Sequence, residues 1–146
     1  MKKIYYTSLC LFLLSLSTFA QDWTTNFEEA KQQASATNQN IILVFQGSDW
    51  CGPCIKLDKE IWSSQEFQKL AKDHFVMLQA DFPRRKANKL PEALATQNAK
   101  LAETYNSQGY FPLVVVLNAK GEVLGKTGYE KIAPSAYFKK LTAFEK

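Results

Sequence analysis

Two thiols set three residues apart, Cys51 and Cys54, are the side chains of this 146-residue chain best suited to chemistry. A pair at that spacing can close into a disulfide and reopen, or can present two soft thiolates to a metal. They end the stretch Phe45-Gln46-Gly47-Ser48-Asp49-Trp50-Cys51-Gly52-Pro53-Cys54. An apolar run over residues 41–45 leads in, and a helix-compatible run over residues 55–62 leads out. The thiols therefore stand where a strand ends and a helix begins. A helix N-terminus offers unpaired N–H donors and positive potential, which favour a thiolate on Cys51. Pro53 suits the first helical turn, where its missing N–H costs nothing. Cys51 is expected to be the more exposed thiol and the nucleophile. Cys54, one turn inward, is expected to resolve the mixed disulfide that Cys51 forms.

Cysteine usage favours redox chemistry over a structural staple. The third cysteine, Cys10, lies in an apolar leader, so only the adjacent pair would remain in a processed chain. A bridge closing so short a loop restrains the unfolded chain little. A structural zinc needs about four ligands, and beyond the leader the chain offers two cysteines and one histidine, His74. A two-thiolate copper(I) site is chemically open, but no methionine lies near the pair in sequence. No metal and no cofactor are expected.

The leader spans residues 1–20. Lys2 and Lys3 form its charged end, Leu9 to Leu16 its apolar stretch, and Thr18-Phe19-Ala20 place small residues at −3 and −1 of a cleavage site. Residues 4–20 are short for a membrane span and carry several hydroxyls, which favours a signal peptide over an anchor. Leu9 before Cys10 is larger than a lipoprotein-type site accepts. The division expected is a signal peptide over 1–20 and one domain over 21–146, exported, in a periplasmic compartment, with no membrane insertion after cleavage. Without Lys2 and Lys3 the 18 basic residues fall to 16 against 14 acidic ones, a balance that gives no reason to invoke nucleic acid or a membrane surface.

The elements that must position the thiols follow from periodicity. Thr25-Asn26-Phe27-Glu28 reads as a capping box opening a helix with Phe27, Ala30 and Ala34 on one face. Residues 41–45 are a strand covered on both faces. Cys54, Leu57 and Ile61 give the next helix an inward stripe. Ser63-Ser64-Gln65-Glu66 is a second capping box, with Phe67 and Leu70 as the contacts of its helix. Residues 75–78 form a second strand. Residues 81–91 are a long loop holding Arg84, Arg85, Lys86 and Lys89, read as a solvated face or, less simply, a dock for an acidic partner. Pro91-Glu92 opens a helix with Leu94, Leu101 and Tyr105 buried. Residues 113–117 and 122–126 form two strands joined by a turn at Asn118-Ala119-Lys120-Gly121, and Pro134 opens a last helix. Crossover connections make the early strands parallel, and the hairpin adds an antiparallel edge.

The unaltered Trp50-Cys51-Gly52-Pro53-Cys54 run in this setting resembles the thioredoxin family, and the order of elements is similar over residues 23–145. The likeness is strongest to exported members such as the C-terminal domain of the transmembrane thiol reductases. It implies an α/β thioredoxin-like fold with a central four-stranded mixed sheet, helices on both faces, and no extra first strand. It implies a thiol–disulfide oxidoreductase with a Cys51–Cys54 redox-active disulfide, acting on disulfide-containing proteins and supplied by an electron donor that the residues do not identify. Disulfide oxidation or isomerisation, and copper(I) or partner binding without catalysis, are the alternatives. Pro112 matches the family's cis-proline beside the cysteines, which makes Trp50, Phe111 and Pro112 the implied substrate surface. Phe45 stands where thioredoxin has a buried acid, leaving water as the default base for Cys54, and Lys59 stands where thioredoxin kinks its active-site helix with proline.

The mature chain is expected to begin at Gln21. Intact-mass measurement on exported protein tests this, and retention of residues 1–20 would turn the leader into an anchor.

Overall fold

The structure, a computed structural model, describes residues 22–146. The expected leader, its cleavage site and Cys10 lie outside the described residues. Strand β1 (Trp23–Thr24) is followed by α1 (Phe27–Thr37), β2 (Asn40–Gln46), α2 (Gly52–Leu57), a π-helical turn (Asp58–Trp62), α3 (Gln65–Ala71) and β3 (Phe75–Asp81). Then come α4 (Glu92–Tyr105), β4 (Leu113–Leu117), β5 (Val123–Thr127) and α5 (Pro134–Thr142). The sheet order is β1-β3-β2-β4-β5.

The sheet has five strands, one more than expected. β1 is the addition: Trp23 pairs with Met77 and Thr24 with Leu78, both parallel. Two residues are too few to show an alternation in sequence. Antiparallel pairing also begins earlier than the edge. β2 and β3 are parallel, but β4 runs antiparallel to β2, with Phe45 opposite Leu113. The long connection through α4 carries the chain past β2 and returns it in the opposite direction.

β2 is the centre, and its alternation divides the core. Ile41, Leu43 and Phe45 face α1 and α4, meeting Ala30, Ala34, Leu101 and Tyr105. Ile42 and Val44 face the other layer, meeting Leu57, Ile61, Phe67, Tyr137 and Leu141. Side chains on a strand point alternately to opposite faces, so a run that is apolar throughout serves both layers at once.

Both helices are capped one residue later than expected, by a single side chain rather than a reciprocal capping box. The cap of α1 is Asn26, whose Oδ1 accepts the Glu29 N–H at 3.1 Å. The cap of α3 is Ser64, whose Oγ accepts the Phe67 N–H at 3.1 Å. Thr25-Asn26 and Ser63-Ser64 each offer two competent capping side chains in succession, and spacing alone does not choose between them. Leu70 is not a packing contact; it is 39% exposed. His74 has a partner: its Nε2 lies 2.8 Å from Glu145 Oε2, and its ring packs on Phe75 and Phe138. No helix of the described residues is long and apolar enough to cross a membrane.

Leu43→Ala removes a fully buried side chain from the strand that both layers share. It is expected to cost about 2–5 kcal/mol, read as a lower urea midpoint with unchanged slope.

Candidate functional site

β2 ends at Gln46, and the chain turns at once toward α2. Gly47 makes this turn possible by yielding space. A Cβ there would lie 2.2 Å from Cε2 of Trp50, because the indole rests directly on the glycine. The indole is fixed at its other end by Nε1, which donates to the Phe82 carbonyl at 2.8 Å.

Two carboxylates hold the turn from outside. Asp81, the last residue of β3, accepts the Ser48 N–H at 2.9 Å and the Ser48 hydroxyl at 2.6 Å. Asp49 accepts the Arg84 and Arg85 N–H groups, each at 2.9 Å, and the Asn88 side-chain amide at 3.0 Å. Its pKa is lowered from the ordinary 3.8 to about 2. The Arg84 amide is the first cause, then the Asn88 amide, then the Arg85 amide and charge, against some opposing desolvation. Asp49 is the anchor that ties the basic loop to the turn.

Cys51 is the N-cap of α2, and its Sγ accepts the Cys54 N–H at 3.3 Å. Cys51 and Cys54 are joined by a disulfide, with Cα atoms 5.2 Å apart. The expected difference in exposure is absent: each cysteine is 3% exposed. What separates the two thiols is the helix geometry, since only Cys51 occupies the capping position. Beyond Leu57 the helix widens into the π turn Asp58–Trp62, where Lys59 replaces the proline that kinks this helix in thioredoxin. A π turn is one of the recognised ways a helix changes course without proline.

The remaining expected site residues do come together. The Phe111–Pro112 bond is cis. Pro112 is buried, Phe111 half-buried, and Phe111 lies outside the β4 pairings, which begin at Leu113. Phe111 meets Trp50 edge-on at 5.5 Å between ring centres, and Phe82 at 5.4 Å. Phe82 in turn stacks on the buried Phe45 at 6.4 Å. An aromatic chain thus runs from the core strand to the surface beside the disulfide. Asn106 positions the approach to the proline: its Nδ2 donates to the Tyr110 carbonyl at 2.8 Å, and its Oδ1 accepts the Tyr110 N–H at 2.9 Å. The sequence pattern does not single out Asn106 as a site residue. Its burial at 5% exposure was the missing signal, and no local pattern encodes that. Arg84 was also missed as a site residue. Its guanidinium lies 3.7 Å from the centre of the Trp50 ring, a cation–π contact.

A helix-capping disulfide just after a central strand, preceded by a Trp50 that meets Phe111 of a cis Phe–Pro bond, is the arrangement of a dithiol–disulfide protein of α/β architecture. A thioredoxin-like family model matches residues 22–119, and the chain belongs to that family. It is 35% identical over 116 residues to the disulfide bond reductase DsbH of Chlamydia pneumoniae, covering 80% of this chain and 68% of that protein. A solved structure described as DsbH oxidoreductase superposes with a TM-score of 0.78 at 32% identity, over 90% of this chain and 91% of that one. A putative disulphide-isomerase from Bacteroides thetaiotaomicron shares the fold, with a TM-score of 0.62 at 23% identity over 87% and 93% of the two chains.

The lowered pKa of Asp49 has a defined consequence. A carboxyl more acidic in the folded than in the unfolded chain stabilises the fold above the unfolded value, and that contribution is lost as pH falls through the folded value. The anchor should therefore hold above pH 3.8 and release on acidification toward about 2. Amide exchange at Arg84 and Arg85 should accelerate across that window, and Asp49→Asn should accelerate it already at neutral pH.

Proposed function

We propose that this thiol–disulfide oxidoreductase works as a reductant of disulfides in exported proteins, in a periplasmic compartment. The observation that carries the proposal is that, in the disulfide form and among the described residues, one hydrogen bond reaches the Cys51 sulfur. Cys51 Sγ receives the Cys54 N–H, while the two intervening residues add no side-chain donor and Pro53 lacks a backbone N–H. A strongly stabilised thiolate makes a dithiol pair an oxidant; a modestly stabilised one leaves it reducing. The reductase name carried by the Chlamydia relative supports the same direction.

The exchange begins with the reduced pair. Cys51 thiolate attacks one sulfur of the substrate disulfide, forming a mixed disulfide and expelling the other substrate sulfur as a thiolate, which takes up a proton. Cys54 then loses its proton to water and attacks Cys51 Sγ. The mixed disulfide breaks, the second substrate thiolate leaves and is protonated, and the Cys51–Cys54 disulfide remains. Two electrons have passed from the protein to the substrate. An upstream dithiol must return them by the reverse sequence. Trp50 and Phe111 form the surface on which the substrate lies, the buried Pro112 sets the Phe111 backbone beneath it, and Phe111 offers that backbone to an extended substrate segment by strand addition.

Cys54→Ala is expected to accumulate mixed disulfides through Cys51, and Cys51→Ala none, on a non-reducing gel. The wild type should reduce insulin-type disulfides, and both variants should lose that activity. Absence of adducts and of reduction would leave a binding module in place of an enzyme.

A further inference from the structure

Beside the redox turn lies a groove of about 730 Å³ between the loop after β3 and the first turns of α4. Phe82, Pro83, Leu90, Ala95 and Ala99 contribute apolar lining. Four cations line the same groove: Arg84, Arg85, Lys86 and Lys89. All four are exposed, and among the described residues none of them is in a side-chain ion pair. Two carboxylates also line it. They are Asp81, whose two oxygens are engaged by Ser48, and Glu92; Asp49, outside the lining, is tied to the same loop and feels the Arg85 charge.

The groove is built, and it is continuous with the site. Its loop wall is pinned by the three hydrogen bonds to Asp49 and by the bond from Trp50 Nε1 to the Phe82 carbonyl. Its helix wall is joined to β3 by the buried Asn98, whose Nδ2 donates to the Asp81 carbonyl at 3.0 Å. Arg84 and Phe82 belong both to the groove and to the surroundings of Trp50, the residue before Cys51. A chain lying in the groove therefore leads to the disulfide.

We propose that this groove binds an acidic segment of the disulfide-bearing protein substrate, with carboxylates on the cationic rim and apolar side chains on the Phe82–Leu90 floor. The proposal rests on the reductase function above and names the substrate class for it. Rim charges contribute to encounter and selectivity more than to raw affinity, and do so in a salt-dependent way. Arg84 packs on the indole, so Arg85, Lys86 and Lys89 are the cations free to engage a partner.

Binding and reduction are to be read separately. A linear acidic peptide with serine in place of cysteine is titrated against the oxidised protein, beside its twin with every Asp and Glu replaced by Asn and Gln. The acidic peptide should bind about tenfold more tightly at low salt, an advantage that high salt removes. The triple variant Arg85→Gln, Lys86→Gln, Lys89→Gln should bring the ratio to about one, and Lys86→Glu with Lys89→Glu should reverse it. Equal binding of the twins, a preference that survives the triple variant, or equally tight binding of a small dicarboxylate disulfide would each overturn the proposal. Reduction of disulfide-containing versions of the two peptides reports independently on the enzyme. If neither is reduced while the binding preference holds, the groove stands and the reductase function fails.

Discussion

One hydrogen bond sets the chemistry of this molecule: the Cys54 N–H to Cys51 Sγ, at 3.3 Å. It exists because Cys51 occupies the capping position of α2, where the backbone N–H groups have no partner inside the helix. That position is a consequence of β2, whose central place in the sheet fixes where the strand ends and where the next helix begins. The carboxylates of Asp81 and Asp49 then hold the intervening turn from two sides, each through backbone amides of residues distant in sequence. The same arrangement brings the loop of four cations against the redox turn. Packing, turn and loop are thus one assembly, and the sulfur sits at its edge.

Magnitudes decide which way the electrons run. Strongly oxidising pairs and thioredoxin-type pairs differ by about 150 mV, or roughly 7 kcal/mol for two electrons. A hydrogen bond to a charged group contributes about 1.5–3 kcal/mol. One amide at Cys51 Sγ falls well short of that gap, and Gly52 and Pro53 supply no side-chain donor to make up the difference. The Arg84 cation lies over the Trp50 ring, a contact worth about 0.5–1 kcal/mol at an exposed site. Its charge is directed at the indole and the groove. On these magnitudes rests the proposal of a reducing pair.

The sequence disclosed the fold through its longest and most regular signals. The uninterrupted apolar run over residues 41–45 has the length of a covered strand, and Cys54, Leu57 and Ile61 have the spacing of a helix facing a core; all are buried. What escaped were features with little local signature. β1 is two residues long and exists through pairing with Met77 and Leu78. Asp49 reads as an ordinary turn acid until the Arg84 and Arg85 amides, 35 and 36 positions later, are seen to meet it. The redox pair itself was legible, because its residues are adjacent in the chain. Its surroundings were legible only in part: Trp50, Phe111 and Pro112 were expected, whereas Asp81, Phe82 and Arg84 reach the redox turn, and Asn106 the segment before Pro112, only through the fold. The expected contrast in cysteine exposure also failed for a local reason: with the sulfurs bonded to each other and capped by α2, burial is shared between them.

The central claim is that a single backbone amide leaves the pair reducing. Equilibration of the purified protein with glutathione redox buffers, with the Cys51–Cys54 state read by thiol alkylation and mass spectrometry, measures this directly. The account predicts a midpoint close to the thioredoxin value of about −270 mV. A midpoint more oxidising than about −180 mV would place the pair with isomerases and oxidases and contradict it.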